Sequence, residues 1–157
     1  MKSQVRPGKK IFKIMSCNIY QTVRRLGFAK KDIEKIVKVV LKDLGDKNAN
    51  VSIHFIGEKK IRTINKVYRK NDKPTDVISF AMKEGKNFPK TQEDLGDIFL
   101  CIPYIKLQAR RASVTYKEEL IRILIHGILH LFEYEHSSKA GAKKMFKLQE
   151  RLLKKVL

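Results

Sequence analysis

The stretch His126-Gly127-Ile128-Leu129-His130-Leu131-Phe132-Glu133-Tyr134-Glu135-His136 holds three of the chain's four histidines. His126 and His130 are four apart inside a dense apolar run, Leu120 to Leu131, and helix positions i and i+4 share a face about one turn apart. Two imidazoles so placed can hold a first-row metal. His136 comes six residues later, after the chain bends away through Glu133–Glu135, and supplies a third nitrogen from outside the helix. Three protein ligands leave a fourth tetrahedral position for water, which is the plan of a catalytic zinc site rather than a structural one. In the H-E-x-x-H peptidase helix a Glu general base follows the first histidine; here Gly127 stands in that place, which argues against ordinary peptidase chemistry. A helical Gly costs about 1 kcal/mol relative to Ala, so Gly127 implies a close approach, either by a substrate or by a packed strand.

Several elements must position these residues. Ile33, Ile36, Val37, Val40, Leu41 and Leu44 repeat at helical spacing and predict a helix from about Lys30 to Leu44, stopped by Gly45. Alternation predicts strands at Ile11–Ser16, weakly, and at Val51–Ile56, with His54 a structural strand residue. A short helix is expected over Glu58–Tyr68, a turn at Asn71-Asp72-Lys73-Pro74 and a strand over Val77–Ala81. Lys83–Asp94 reads as a mobile loop or broken hairpin. Ile98–Ile102 is another strand, and Pro103 opens a helix over Tyr104–Ala112. Thr115 and Glu118 form a capping box for the histidine helix. Ser137 or Ser138 caps a last helix with Met145, Leu148 and Leu152 as its buried stripe. The fold class is therefore α+β: a small mixed sheet packed against helices, with a central metal-binding helix.

At 157 residues, with 43% hydrophobic and 32% charged residues, the chain fits one compact domain over residues 1–157, in which residues 1–10 form a mobile basic tail. Lys and Arg number 35 against 16 Asp and Glu, a net charge of +19. Such an excess favours a polyanion, RNA or DNA, as partner. A membrane is not expected: there is no apolar run of spanning length and no basic amphipathic helix with bulky aromatic anchors. Cys17 and Cys101 stand alone and suggest neither a disulfide framework nor a zinc ribbon, as suits a reducing, cytoplasmic setting. Nine Lys/Arg precede the first acidic residue, Asp32, a trait shared with organelle transit peptides, a lesser alternative.

HGILHLFEYEH followed by Ser, together with RKNDKPTDVISF and LGDI earlier in the chain, resembles the YbeY family of bacterial rRNA-maturation endoribonucleases. The resemblance runs from about Val51 to His136 and continues in the order of the elements. It implies a compact α+β fold with one zinc ion on His126, His130 and His136. It also implies an Arg facing the metal cleft, which maps onto Arg69. The implied activity is cleavage of single-stranded RNA in 16S rRNA 3′-end maturation and ribosome quality control. The implied partners are rRNA and the small ribosomal subunit, with ribosomal proteins or assembly GTPases beside them. The family's usual approach to the third histidine is Gly-Tyr-Asp-His; here it is Glu133-Tyr134-Glu135-His136. Glu133 replaces a residue tolerant of positive φ, and Glu135 has a longer reach than Asp.

The expected catalytic residues are Arg69, as a fixed fork on the phosphate, and His126. Asp76, Asp97 and Glu135 are candidates to orient ligands or water, although Asp76 would serve equally to cap a turn and Asp97 to end a strand. Thr75 and Ser79 read as hydrogen-bonding turn and strand residues, and no Ser or Cys sits in a triad pattern. The leading expectation is a zinc-dependent endoribonuclease. The alternative is a non-catalytic ribosome-assembly factor that binds RNA and whose zinc is structural. A zinc hydrolase of peptides or small molecules comes third, weakened by Gly127 and by the charge.

Overall fold

The computed structural model describes residues 15–82 and 94–157. In chain order these form β1 (Cys17–Gln21), α1 (Lys30–Asp43), β2 (Asn50–Ile56), α2 (Glu58–Arg69), β3 (Val77–Ala81), β4 (Asp94–Cys101), α3 (Ile102–Arg111), α4 (Tyr116–Leu131) and α5 (Lys139–Val156). The strands lie in the order β1-β2-β4-β3, with β1, β2 and β4 parallel and β3 antiparallel to β4. Parallel neighbours need a crossover; α1 provides it between β1 and β2. The mixed sheet and its helices are the α+β architecture expected from the sequence.

Side-chain alternation divides the sheet into two faces. Val51, Ile53 and Phe55 of β2 and Ile98 and Leu100 of β4 face the main core, where they meet Ile33, Val37 and Val40 of α1 and the apolar residues of α4 and α5. Ile78 and Cys101 face the other way and meet Ile61 of α2 in a smaller cluster. In α4 the side chains of Leu120, Ile121, Leu124, Ile125, Ile128 and Leu129 are fully buried. At about 1.5–3 kcal/mol each, their burial far outweighs the modest helix propensity of so Ile-rich a segment and the cost of Gly127. Packing, rather than propensity, makes this helix.

Gly127 marks the point where α4 lies on the sheet. A Cβ there would come within 2.8 Å of Ile98, 3.2 Å of Ser79 Oγ and 3.3 Å of Val77. Ser79 also donates to the Gly127 carbonyl at 3.1 Å. A packed strand accounts for this glycine. In Leu95-Gly96-Asp97-Ile98, Gly96 has φ +130°, and a side chain on it would collide with the Phe80 carbonyl of β3. Only Gly allows that approach.

Among the described residues the first strand is Cys17–Gln21; of the expected strand Ile11–Ser16, residues 11–14 lie outside the described residues and residues 15–16 precede the strand. The strand sits at the sheet edge with only alternate residues half-buried, so its pattern is faint. The last helix buries Met145, Gln149, Leu152 and Leu153, which puts a polar side chain in the stripe where Leu148 was expected. The capping box is half made: Thr115 accepts from Glu118 N, but the Glu118 carboxylate pairs with Arg122. The expected basic tail and most of the Lys83–Asp94 loop lie outside the described residues, while Asp94 itself begins β4. Among the described residues no helix is long and apolar enough to cross a membrane.

Candidate metal centre

The end of α4 decides where the third histidine goes. Phe132 caps the helix, Glu133 turns into the left-handed region at φ 64°, and two reverse hydrogen bonds close the turn: Glu133 N to His130 O at 3.0 Å and Tyr134 N to Leu129 O at 3.1 Å. This is the paired bonding of a Schellman motif, whose left-handed position usually carries Gly. Glu133 adopts it nevertheless. The chain folds back and brings His136 beside the other two rings. Ring centroids are 4.6 Å apart for His126–His130, 5.2 Å for His130–His136 and 5.9 Å for His126–His136.

One nitrogen from each ring lies within 4.8 Å of the others. The Nε2 atoms of His126 and His130 are 3.0 Å apart. A tetrahedral ion with bonds of 2.0–2.1 Å requires ligand nitrogens about 3.3 Å apart. The donor set therefore fits a metal ion after a small adjustment, in which the His126 and His130 nitrogens separate slightly and the wider spacings close. His126 Nδ1 is 2.8 Å from Gln149 Oε1. With Nδ1–H donated to the amide oxygen, the Nε2 lone pair is left facing the cluster, the usual orientation of a ligating imidazole. Burial, then the neighbouring His126 and His136, hold the His130 pKa down at about 4. Its ring is neutral at pH 7 and available as a donor.

Gln149 went unnoticed in the sequence, yet a signal existed. It lies four residues after Met145 and three before Leu152, so it is a polar residue in phase with the buried stripe of α5. Buried amides are retained where they have a partner.

Arg69 ends α2, and the loop after it is tied down. Asn65, 3% exposed, donates to Lys73 O at 2.8 Å and accepts at its backbone carbonyl from Asn71 N at 3.3 Å. Asp72 takes Arg62 at 2.8 Å and Lys66 at 3.2 Å. Arg69 thereby lines one cleft of about 300 Å³ with Ser79, His130, Glu133, Tyr134 and Glu135. On the other side of the rings a cavity of about 210 Å³ is lined by His126, His136, Met145, Phe146 and Gln149.

Of the carboxylates singled out in the sequence, only Glu135 lies at this cleft; Ser137 Oγ donates to it at 3.3 Å. Asp76 is occupied by its own turn, accepting from Val77 N at 2.8 Å, Thr75 Oγ1 at 3.1 Å and Gln108 Nε2 at 3.1 Å. Asp97 points to the opposite sheet face, 2.7 Å from His54 Nε2, and lines a separate pocket with Ile64, Tyr68, Phe80 and Phe99. Neither orients a histidine of the cluster. Thr75 and Ser79 are hydrogen-bonded turn and strand residues.

The site as built offers a cluster of three nitrogen donors, one of which, His130, opens on a cleft with a guanidinium and exposed carboxylates. That combination suits an anionic ester whose charge rises during reaction. The family model for "Endoribonuclease YbeY" matches residues 18–157. A curated endoribonuclease YbeY from Sulfurihydrogenibium is 40% identical over 128 residues, covering 81% of this chain and 83% of the relative. That of Acholeplasma laidlawii is 41% identical over 122 residues, covering 78% and 85%. A Thermotoga maritima protein solved in solution superposes with a TM-score of 0.61 at 25% identity, covering 89% of this chain and 88% of the other.

Proposed function

The chain belongs to the YbeY family of endoribonucleases, and on that premise we propose that it is a zinc-dependent endoribonuclease cutting single-stranded rRNA during 16S 3′-end maturation and ribosome quality control. Its setting is the cytoplasm and its partner the small ribosomal subunit, with ribosomal proteins or assembly GTPases as further contacts. The observation that carries this reading is the convergence of three histidine donors, one of which, His130, shares a cleft with Arg69.

His126, His130 and His136 would hold the ion, with Gln149 fixing the His126 ring. A bound zinc ion supplies Lewis acidity at neutral pH. The protein's own residues do the rest. Arg69, anchored through the Asn65 and Asp72 contacts, presents its fork to the scissile phosphate and balances charge developing on the phosphate oxygens. Glu133 and Glu135 line the same cleft and offer acceptors for the proton of the attacking hydroxyl. Asp76 holds the turn behind Arg69, and Asp97 belongs to the other sheet face.

A +19 chain with a strongly basic last helix also suits the second reading, a ribosome-assembly factor that binds RNA around a structural ion. Incubation of metal-loaded protein with a single-stranded 16S 3′-end fragment separates the two. Cleavage that disappears on chelation and in His126→Ala is the expected result. Cleavage that survives both overturns the enzyme reading, and RNA binding without turnover in the parent protein supports the assembly factor. A 2′,3′-cyclic phosphate on the product assigns the nucleophile to the RNA's own 2′-hydroxyl.

A further inference from the structure

Phe146 is 62% exposed on α5, although full burial of a Phe side chain is worth about 1.5–3 kcal/mol. It occupies a particular position. On one side it lines the cavity that contains His126, His136 and Gln149. On the other it lines an adjoining groove of about 910 Å³ together with Lys143, Lys147, Arg151 and Lys154. The 3.6-residue period puts Lys143, Lys147 and Lys154 on one side of the helix, over a rise of about 16 Å. No described carboxylate pairs with these three lysines. Glu150, the one acid at this groove among the described residues, is held by Arg122 at 3.1 Å, and Arg151 is held by Asp43 at 2.7 Å.

A flat apolar ring beside a row of cations is complementary to a ligand that is itself flat, apolar and anionic by turns. Single-stranded nucleic acid has that composition: bases stack on aromatic rings while phosphates follow the cations. A membrane would demand several bulky apolar residues on this face; Phe146 and the terminal Leu157 are the large exposed apolar residues that α5 and its C-cap present.

We propose that α5 carries the RNA flank next to the metal centre, with one base stacked on Phe146 and its phosphates on Lys143, Lys147 and Lys154. The assignment rests on the endoribonuclease reading and adds a substrate subsite to it. Phe146 does not touch the reacting atoms; it sets where the strand lies.

The test uses the full-length, metal-loaded chain and single-stranded RNA oligonucleotides carrying 2-aminopurine at successive positions, read by stopped-flow ahead of turnover. At one position the parent protein quenches the fluorescence by stacking, and Phe146→Trp keeps the quench. Phe146→Leu loses it and binds about 5- to 150-fold more weakly, the range for one lost base stack, with zinc content unchanged. Lys147→Gln lowers the slope of log affinity against log salt by about 0.7. A Phe146→Leu protein with parental quench and affinity overturns the subsite and leaves the nuclease reading standing. A parent that binds no RNA overturns both. Loss of a protein partner in Phe146→Leu, with RNA binding intact, overturns the subsite in favour of a protein-docking face.

Discussion

His54 lies between the rings of Tyr20 and Phe99, with centroids at 4.8 and 4.2 Å and planes within 14° of parallel, and its Nε2 is 2.7 Å from Asp97. Across the sheet, His126, His130 and His136 meet chiefly one another, and among the described residues the carboxylates at their clefts are exposed ones. The same side chain thus serves two ends. At His54 the ring is packing surface and its outward nitrogen is consumed by a carboxylate. In the cluster the rings meet one another and one nitrogen from each converges. A metal centre needs the second arrangement: neutral rings with lone pairs left unspent. Proximity of a histidine to an acid, as in His54–Asp97, is a structural contact here.

Five substitutions sharpen or break this contrast. Arg69→Ala is expected to lower kcat by about 100- to 1,000-fold, the usual cost of losing one donor to a developing oxyanion, with bound zinc unchanged by metal analysis; Asp97→Asn, on the other face, leaves kcat at the parental value. An Arg69→Ala enzyme of normal kcat would remove the guanidinium from the chemistry. Gln149→Leu keeps the volume of the buried site but frees the His126 ring, and metal affinity is expected to fall about 10- to 100-fold in a competitive chelator titration.

His54→Leu removes two ring contacts and a hydrogen bond, so denaturant unfolding should show about 2–4 kcal/mol of lost stability. Cleavage per folded molecule and zinc content should stay at parental levels; a fall in zinc content would show that the two faces are not independent. The smallest effect lies where α1 meets α5. Hydrogen bonds from Arg151 and Lys155 hold the Asp43 carboxyl at about 2, below its ordinary 3.8. The native state therefore binds this proton more weakly than the unfolded chain. The stabilisation is complete above about pH 4 and is lost as pH falls toward 2. Because Arg151 and Lys155 are more than half exposed, solvent screening leaves about 0.5–1 kcal/mol. Asp43→Asn should lose that much at pH 7 and almost nothing at pH 2 in parallel urea titrations.

What could be read from the sequence was local. The ligand triad lies within eleven residues, the 3.6-residue repeat of α1 survives in the structure with its end shifted by one position, and the histidine helix begins after Thr115 as read. The assignments that needed tertiary knowledge were less accessible. Asp97 sits beside Ile98, and which of the two faces the histidines depends on the sheet face that α4 covers. Gln149 reaches His126 only because α5 docks on α4 twenty-three residues away. Glu133 shows a third kind of limit: residue preference argued against a left-handed turn, and the paired hydrogen bonds at the end of α4 outweighed it.

The nearness of the three ligands along the chain bears on folding itself. A site assembled from distant strands would form only in the native state, so an ion bound there would add its whole binding energy to stability. Here the donors span a segment whose ends an unfolded chain brings together within about 100 ns. The denatured ensemble competes for the same ion, and the stabilising effect of metal shrinks by whatever affinity that ensemble retains. The melting temperature should therefore rise with zinc by less than the native affinity alone would give. The core already holds the fold through α4 and the sheet, which leaves the ion to its chemistry.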